Sequence, residues 1–221
     1  MILHYLGLDH IGHVSGPRSP LIPAKLKEMD DVIHKIYDQF KGSDTGIIIC
    51  GDHGMSDSGS HGGSSPSETD IPLTFVIDGC LPSNKSSLQI DLVPTLSMLM
   101  GVPIPSNSLG SLLEGILSLF EPIQVLHAAY FNAHTVARQF ENFTKNYEDN
   151  SDHQQYERGV KMYQDLLAGV GRSDEKEISD VFFKATEGMS AVLIESLVKF
   201  DLYLMLVGIL LLLQVLPFVL C

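Results

Sequence analysis

The sequence predicts an α/β unit with a parallel sheet flanked by helices, then a helical spacer and one C-terminal transmembrane helix. Three observations predict this. Short apolar runs alternate with an amphipathic helix in residues 1–120, an order that places a crossover helix between parallel strands. Asp and His cluster directly after two of those runs, where open α/β sheets gather their ligands. The last twenty residues, Leu202 to Cys221, carry no charge, and that length matches the hydrocarbon thickness of a bilayer.

The first element is a strand over Ile2–Leu8, which runs into the cluster Leu8-Asp9-His10-Ile11-Gly12-His13. A Gly/Pro/Ser loop, Ser15–Pro23, leads to a helix over Ala24–Phe40. Its spacing puts Leu26, Met29, Ile33, Ile36, Tyr37 and Phe40 on one stripe, with Lys25, Lys27 and Glu28 outward. The β-branched run Gly46–Cys50 is the next strand, with Cys50 a small core residue. It opens into GDHGMSDSGSHGG, Gly51–Gly63, and a further strand follows over Ile71–Ile77. After a loop, Asp78–Ser87, a short helix over Ile90–Met100 is stopped by Gly101-Val102-Pro103-Ile104-Pro105. Beyond residue 120 the pattern turns helical, with segments at Ile123–Tyr147, Asp152–Leu167 and Glu175–Phe200 and no cluster of chemical residues. The division is thus residues 1–120, a spacer over 121–201, and the membrane helix 202–221.

Acidic residues outnumber basic ones 27 to 14, for a formal charge of −13. Such a balance excludes a nucleic-acid partner. It also repels phosphate-rich substrates unless bound divalent cations offset the field locally. Three cysteines, Cys50, Cys80 and Cys221, form no disulfide framework. Two N-x-S/T sequons, at Asn84 and Asn142, hint at a lumenal, glycosylated domain. Met1 opens almost at once into the first apolar run, without the basic flank and cleavage site of a signal peptide. The expectation is a truncated chain.

Five residues carry the chemistry. Asp9 and His13 lie four apart across a glycine, and Asp52 and His53 are adjacent between Gly51 and Gly54. His61 follows in a glycine-rich loop able to fold back over them. Neutral imidazole with carboxylate suits zinc or manganese, and two such ions side by side clamp a phosphoryl group. His4 and His10 have supporting or packing roles, whereas His34, His127, His134 and His153 are surface or core residues.

At LHYLGLDHIGH, GDHGMSDSGSHGG and QIDLVPTLSMLMGVPIP the chain resembles the glycosylphosphatidylinositol (GPI) ethanolamine phosphate transferases, of the alkaline phosphatase superfamily. The resemblance spans about residues 1–120, and the first two motifs are the specific ones. It implies the C-terminal part of an alkaline-phosphatase-like catalytic domain, lumenal on an endoplasmic reticulum membrane enzyme. That enzyme passes phosphoethanolamine from phosphatidylethanolamine to a mannose of the GPI precursor glycolipid. It implies two divalent ions, one held by Asp9, His13 and His61. The other is held by Asp52 and His53 together with an aspartate and a threonine nucleophile from a segment upstream of residue 1. None of the threonines present sits in a comparable context, so the chain alone is expected to be inactive. A small membrane-protein partner subunit is implied as well. The Asp/His logic is equally that of a metal-dependent phosphodiesterase or sulfatase-type hydrolase of the same superfamily. A membrane-tethered remnant without catalysis is the non-enzymatic alternative.

Overall fold

The computed structural model describes residues 1–78, 86–171, 173–197 and 202–220. The chain divides into two compact units, Met1–Cys80 and Leu81–Cys221. It is mostly helical, with a small two-stranded sheet and an apolar C-terminal helix.

The first unit contains helix α1 (Gly7–Ser15), helix α2 (Leu21–Phe40), strand β1 (Ile47–Cys50), the short helix α3 (Pro66–Thr69) and strand β2 (Leu73–Val76). Helix α1 closes where Gly16, at φ +84°, donates its N–H to the Gly12 carbonyl at 2.9 Å. Glycine suits that backbone, which an L side chain resists. Helix α2 starts beside Pro20, and its outward face carries the pairs Lys25–Glu28 (2.7 Å) and Lys27–Asp31 (3.3 Å). Strands β1 and β2 are antiparallel, with Ile47 opposite Val76 and Cys50 opposite Leu73. Helix α3 takes Pro66 at its first position, where a missing N–H costs nothing.

The second unit begins with a 3-10 turn, Gln89–Asp91, and continues through helices α4 (Leu92–Met100) and α5 (Glu114–Leu117). Asp91 ties this segment together: its carboxylate accepts from Leu88 N at 2.8 Å and from Ser111 N at 2.7 Å. Thr95 adds a bond from Leu113 N at 3.0 Å. The QIDLVPTL motif thus fixes the loop that follows it. Helix α4 ends on Gly101 in the left-handed region, with Val102 N bonded to Ser97 O at 3.0 Å.

Helices α6 (Pro122–Phe143), α7 (Ser151–Leu167) and α8 (Glu175–Leu197) hold the main core of the second unit. Leu126, Ala129, Ala133, Val136, Ala137 and Phe140 recur at three- and four-residue steps along α6. Ile178, Phe182, Ala185, Met189 and Leu193 do the same along α8, so each helix presents one apolar stripe to the other. The many alanines of α6 let the backbones approach. Asn150 caps α7, its side-chain oxygen accepting from Asp152 N (2.8 Å) and His153 N (3.1 Å). Replacing Asn150 with alanine is expected to cost about 1 kcal/mol, readable as a lower midpoint in urea unfolding of this unit. Helix α9 (Leu202–Leu220) is long and apolar enough to cross a membrane.

Several expectations are corrected. Residues 1–6 form no strand, and Gly7–Ser15, which includes the LDHIGH cluster, is helical. A lone apolar run without a neighbouring strand leaves its backbone groups unpaired, while the helix satisfies them locally. The sheet is antiparallel rather than parallel. Helix α2 precedes both paired strands, so it cannot be their crossover, and the β1–β2 connection holds only the four-residue α3. Cys50 is exposed, not core, because it ends an edge strand. The α2 stripe is only partly covered, and none of its residues is buried. The helical segment 121–201 carries the largest buried cluster among the described residues. Asn84, Cys80 and Cys221 lie outside the described residues, and Asn142 is exposed in the last turn of α6.

Candidate metal centre

Two segments of the first unit build the site. Helix α1 supplies Asp9 and His13, one helical turn apart on one face. The loop after β1 supplies Asp52, His53 and His61. That loop is held down by Gly54 N bonded to Glu68 O and Met55 N bonded to Ser67 O, both at 2.8 Å. Gly54 is required there, since a Cβ would lie 2.2 Å from the Ser67 carbonyl oxygen. Glu68 accepts from the Ser65 hydroxyl and from the Gly63 N–H at 3.0 Å, which together hold its carboxyl below the usual range.

His61 lies at the junction. Its Nε2 is 3.1 Å from His13 Nε2 and 3.6 Å from Asp9 Oδ1, and its ring stacks on His53 with centroids 3.7 Å apart. His13 Nε2 lies 3.3 Å from the same Asp9 oxygen. His53 is fixed through Nδ1, which is 2.8 Å from the Gly54 carbonyl oxygen and so donates to it. Asp52 stands at the rim, with Oδ2 3.6 Å from His53 Nε2 and 3.7 Å from His4 Nε2. Burial pushes its carboxyl up, but the Asp52 and His53 backbone N–H groups, with the nearby His53 and His4, lower it further still.

One atom tests whether a cation fits. Asp9 Oδ1 is shielded from solvent and has no hydrogen-bond partner among the described residues. The two imidazole nitrogens facing it are within ion-pair range but outside hydrogen-bond geometry. A shielded carboxylate oxygen in that position is stabilised by a cation. Ligand atoms of Asp9, His53 and His61 lie within 4.8 Å of one another, a set that can hold one divalent ion. The donor set, one carboxylate and two imidazoles, suits zinc.

All five expected ligands therefore lie in one region of the first unit: His13 is the nearer imidazole to Asp9 and His61, at 3.3 and 3.1 Å, and a ligand atom of His53 lies within 4.8 Å of theirs. His4 beside Asp52 is a contact that its place in an apolar run concealed. Gly12, Met55 and Gly59 hold α1 against the loop, and their pattern in the sequence gives no sign of it. Among the remaining histidines, His34 is exposed, while His153 is buried with Nε2 3.1 Å from Glu141.

The chain has relatives among known proteins. Residues 1–64, which carry both ligand segments, match the family described as type I phosphodiesterase / nucleotide pyrophosphatase. Over its whole length the chain is 32% identical to the human "GPI ethanolamine phosphate transferase 2, catalytic subunit", of which it covers 24%. It is 46% identical over 134 residues to GPI ethanolamine phosphate transferase 2 of Candida albicans, covering 54% of this chain and 15% of that protein. The Saccharomyces cerevisiae protein of the same name is 42% identical over 145 residues, 53% of this chain and 18% of that protein. The chain is thus a partial relative of the GPI ethanolamine phosphate transferase 2 proteins, spanning between 15% and 24% of the length of these three. No solved structure matches it.

Proposed function

We propose that this chain is a metal-binding portion of a phosphoethanolamine transferase of GPI-anchor biosynthesis. The donor is phosphatidylethanolamine and the acceptor a mannose of the GPI precursor. The observation that carries this reading is the convergence of Asp9, His53 and His61 from two motif segments around one shielded carboxylate oxygen. In this reading residues 1–120 belong to the catalytic domain, 121–201 are the spacer and 202–221 cross the endoplasmic reticulum membrane, with the catalytic part lumenal. Zinc is the proposed metal, with manganese second, and a bound divalent cation would neutralise charge on the transferring phosphoryl group. Asp9, His13 and His61 hold that cation, while Asp52 and His53 contribute part of a second ligand set. The 221 residues alone are proposed to bind metal without turnover.

Replacing the matching part of the human relative with these residues tests the reading. The chimera is expected to transfer phosphoethanolamine to a mannosyl lipid, and His61→Ala is expected to abolish transfer. A chimera that reaches the membrane and binds zinc yet transfers nothing overturns it. The 221-residue chain assayed alone is expected to be inactive, and turnover that depends on His53 would refute that part.

The match of residues 1–64 to the phosphodiesterase family favours a second reading, a metal-dependent phosphodiester hydrolase. Release of nitrophenol from a bis-nitrophenyl phosphate by the same chimera, without transfer to the mannosyl lipid, would select it.

A further inference from the structure

The ligands come from two segments whose spacing must be set by something other than the ligands themselves. Gly12 is the buried residue of α1 and immediately precedes His13. A Cβ built on it would lie 2.2 Å from Met55 Sδ and 2.7 Å from Met55 Cε, so the thioether rests directly on the helix backbone. Gly59, buried and two residues before His61, faces the same turn from the other side. Its φ is +77°, and a Cβ there would lie 2.6 Å from the Gly12 carbonyl oxygen. This carbonyl already accepts from Gly16 N and cannot withdraw without opening the end of α1.

The loop around Gly59 is itself closed. Gly59 N bonds to Ser56 O at 3.0 Å, and Ser56 N bonds to Ser60 O at 2.8 Å. The Ser56 hydroxyl donates to Ser60 O at 2.8 Å. Arg18, just beyond α1, reaches Asp57 in the same turn at 2.9 Å. The turn is therefore a rigid block seated on the last turn of α1, with His13 on one side of the contact and His61 on the other. The outcome is the 3.1 Å separation of the two imidazole nitrogens.

We propose that Gly12, Met55 and Gly59 form a register lock that sets the ligand spacing of the metal centre, making them positioning residues rather than ligands. The proposal rests on the metal-centre reading for its function, and on the glycine contacts alone for its geometry. Glycine at position 59 is required twice, by its left-handed backbone and by the approach of a carbonyl oxygen. At position 12 the obstacle is a flexible thioether, so shortening Met55 should make room for a methyl group.

The full chain in detergent micelles, titrated with Co²⁺, tests this. Gly59→Ala and Gly12→Ala are each expected to weaken Co²⁺ binding by roughly 10–100-fold, the range for outer groups that orient ligands. At saturating metal the visible spectrum should match the parent chain, because every ligand is still present; His61→Ala should change the spectrum. Gly12→Ala combined with Met55→Ala should bind within about threefold of Met55→Ala alone, a rescue that general destabilisation would not give. Equal affinity in Gly59→Ala and the parent, or no rescue in the double variant, overturns the lock. A metal-free measurement separates the two readings. Nuclear Overhauser contacts between the His13 and His61 rings should be present in the parent, lost in Gly59→Ala and in Gly12→Ala, and restored when Met55→Ala is added to Gly12→Ala. If those contacts follow the pattern while the parent binds no Co²⁺, the lock stands and the metal reading falls. If they do not change, the lock falls.

Discussion

Replacing His61 with alanine is expected to lower the zinc affinity of the chain more than about 100-fold, beyond the range seen for outer groups. His61 is the residue on which both segments meet: it faces Asp9 and His13 from α1 and stacks on His53 from its own loop. Its removal leaves one carboxylate and at most two imidazoles, too few to close a tetrahedral site without water. Competition against a chromogenic zinc chelator measures the change, and a loss smaller than threefold would refute the assignment. The same titration decides between two ligand sets. Resemblance to the transferases assigns His13 to the ion held by Asp9 and His61, and His53 to the other ion. The structure places His13 Nε2 3.3 Å from Asp9 Oδ1 and 3.1 Å from His61 Nε2, and also brings a ring nitrogen of His53 within 4.8 Å of the Asp9 and His61 donors. If the tighter set governs binding of the first ion, His13→Ala will cost more affinity than His53→Ala. The reverse order supports the set of Asp9, His53 and His61.

How legible this was depends on what each signal measures. The strand Ile47–Cys50 is readable because three consecutive isoleucines, flanked by glycines, favour extended backbone in any packing context. Helices α6, α7 and α8 are readable because their apolar spacing spans many turns. The five candidate ligands stand out by residue type and glycine flanks. The Ile2–Leu8 run is different. Its apolar character says that it is meant to be covered, but a strand also needs a partner, and pairing is not a property of the run itself. The exposure of Cys50 is hidden for the same reason, since an edge position follows from the sheet and not from the residue. The contact of Gly59 with Gly12 joins positions 47 apart, and a glycine seat leaves no periodic trace in sequence. Composition names the ligands; only the fold shows which of them meet.

Phe182→Ala in α8 is expected to cost about 3–5 kcal/mol of stability in the helical unit, the cost of emptying an aromatic site in a tight core. Phe182 is fully buried and packs with the rings of Tyr130 at 5.7 Å, and of Tyr156 and Tyr163 at 6.4 Å. It therefore joins α6, α7 and α8 at one point. Gly159 in α7 makes the room: a Cβ there would lie 2.8 Å from Phe182 Cε1. The cavity left by alanine cannot fill easily, because its walls are rings held elsewhere. The Tyr156 hydroxyl is bonded to His134 Nδ1 at 2.7 Å, and Tyr163 stacks on Tyr130 with centroids 4.8 Å apart. Burial also pushes the Tyr156 phenol well above its usual range, so it stays neutral and keeps that bond across ordinary pH. Loss of helical circular dichroism with temperature or urea, in micelles that keep α9 solvated, measures the effect. A cost below about 1 kcal/mol would show that the three helices do not depend on this ring, because even Ile→Val in a core typically costs about 0.5–1.5 kcal/mol. Gly159→Leu provides the converse test, forcing α7 off Phe182 at an overpacking cost of about 1–3 kcal/mol. If both substitutions destabilise the unit, residues 122–197 act as a packed domain in their own right, and a spacer built this way holds its two ends in a fixed relation.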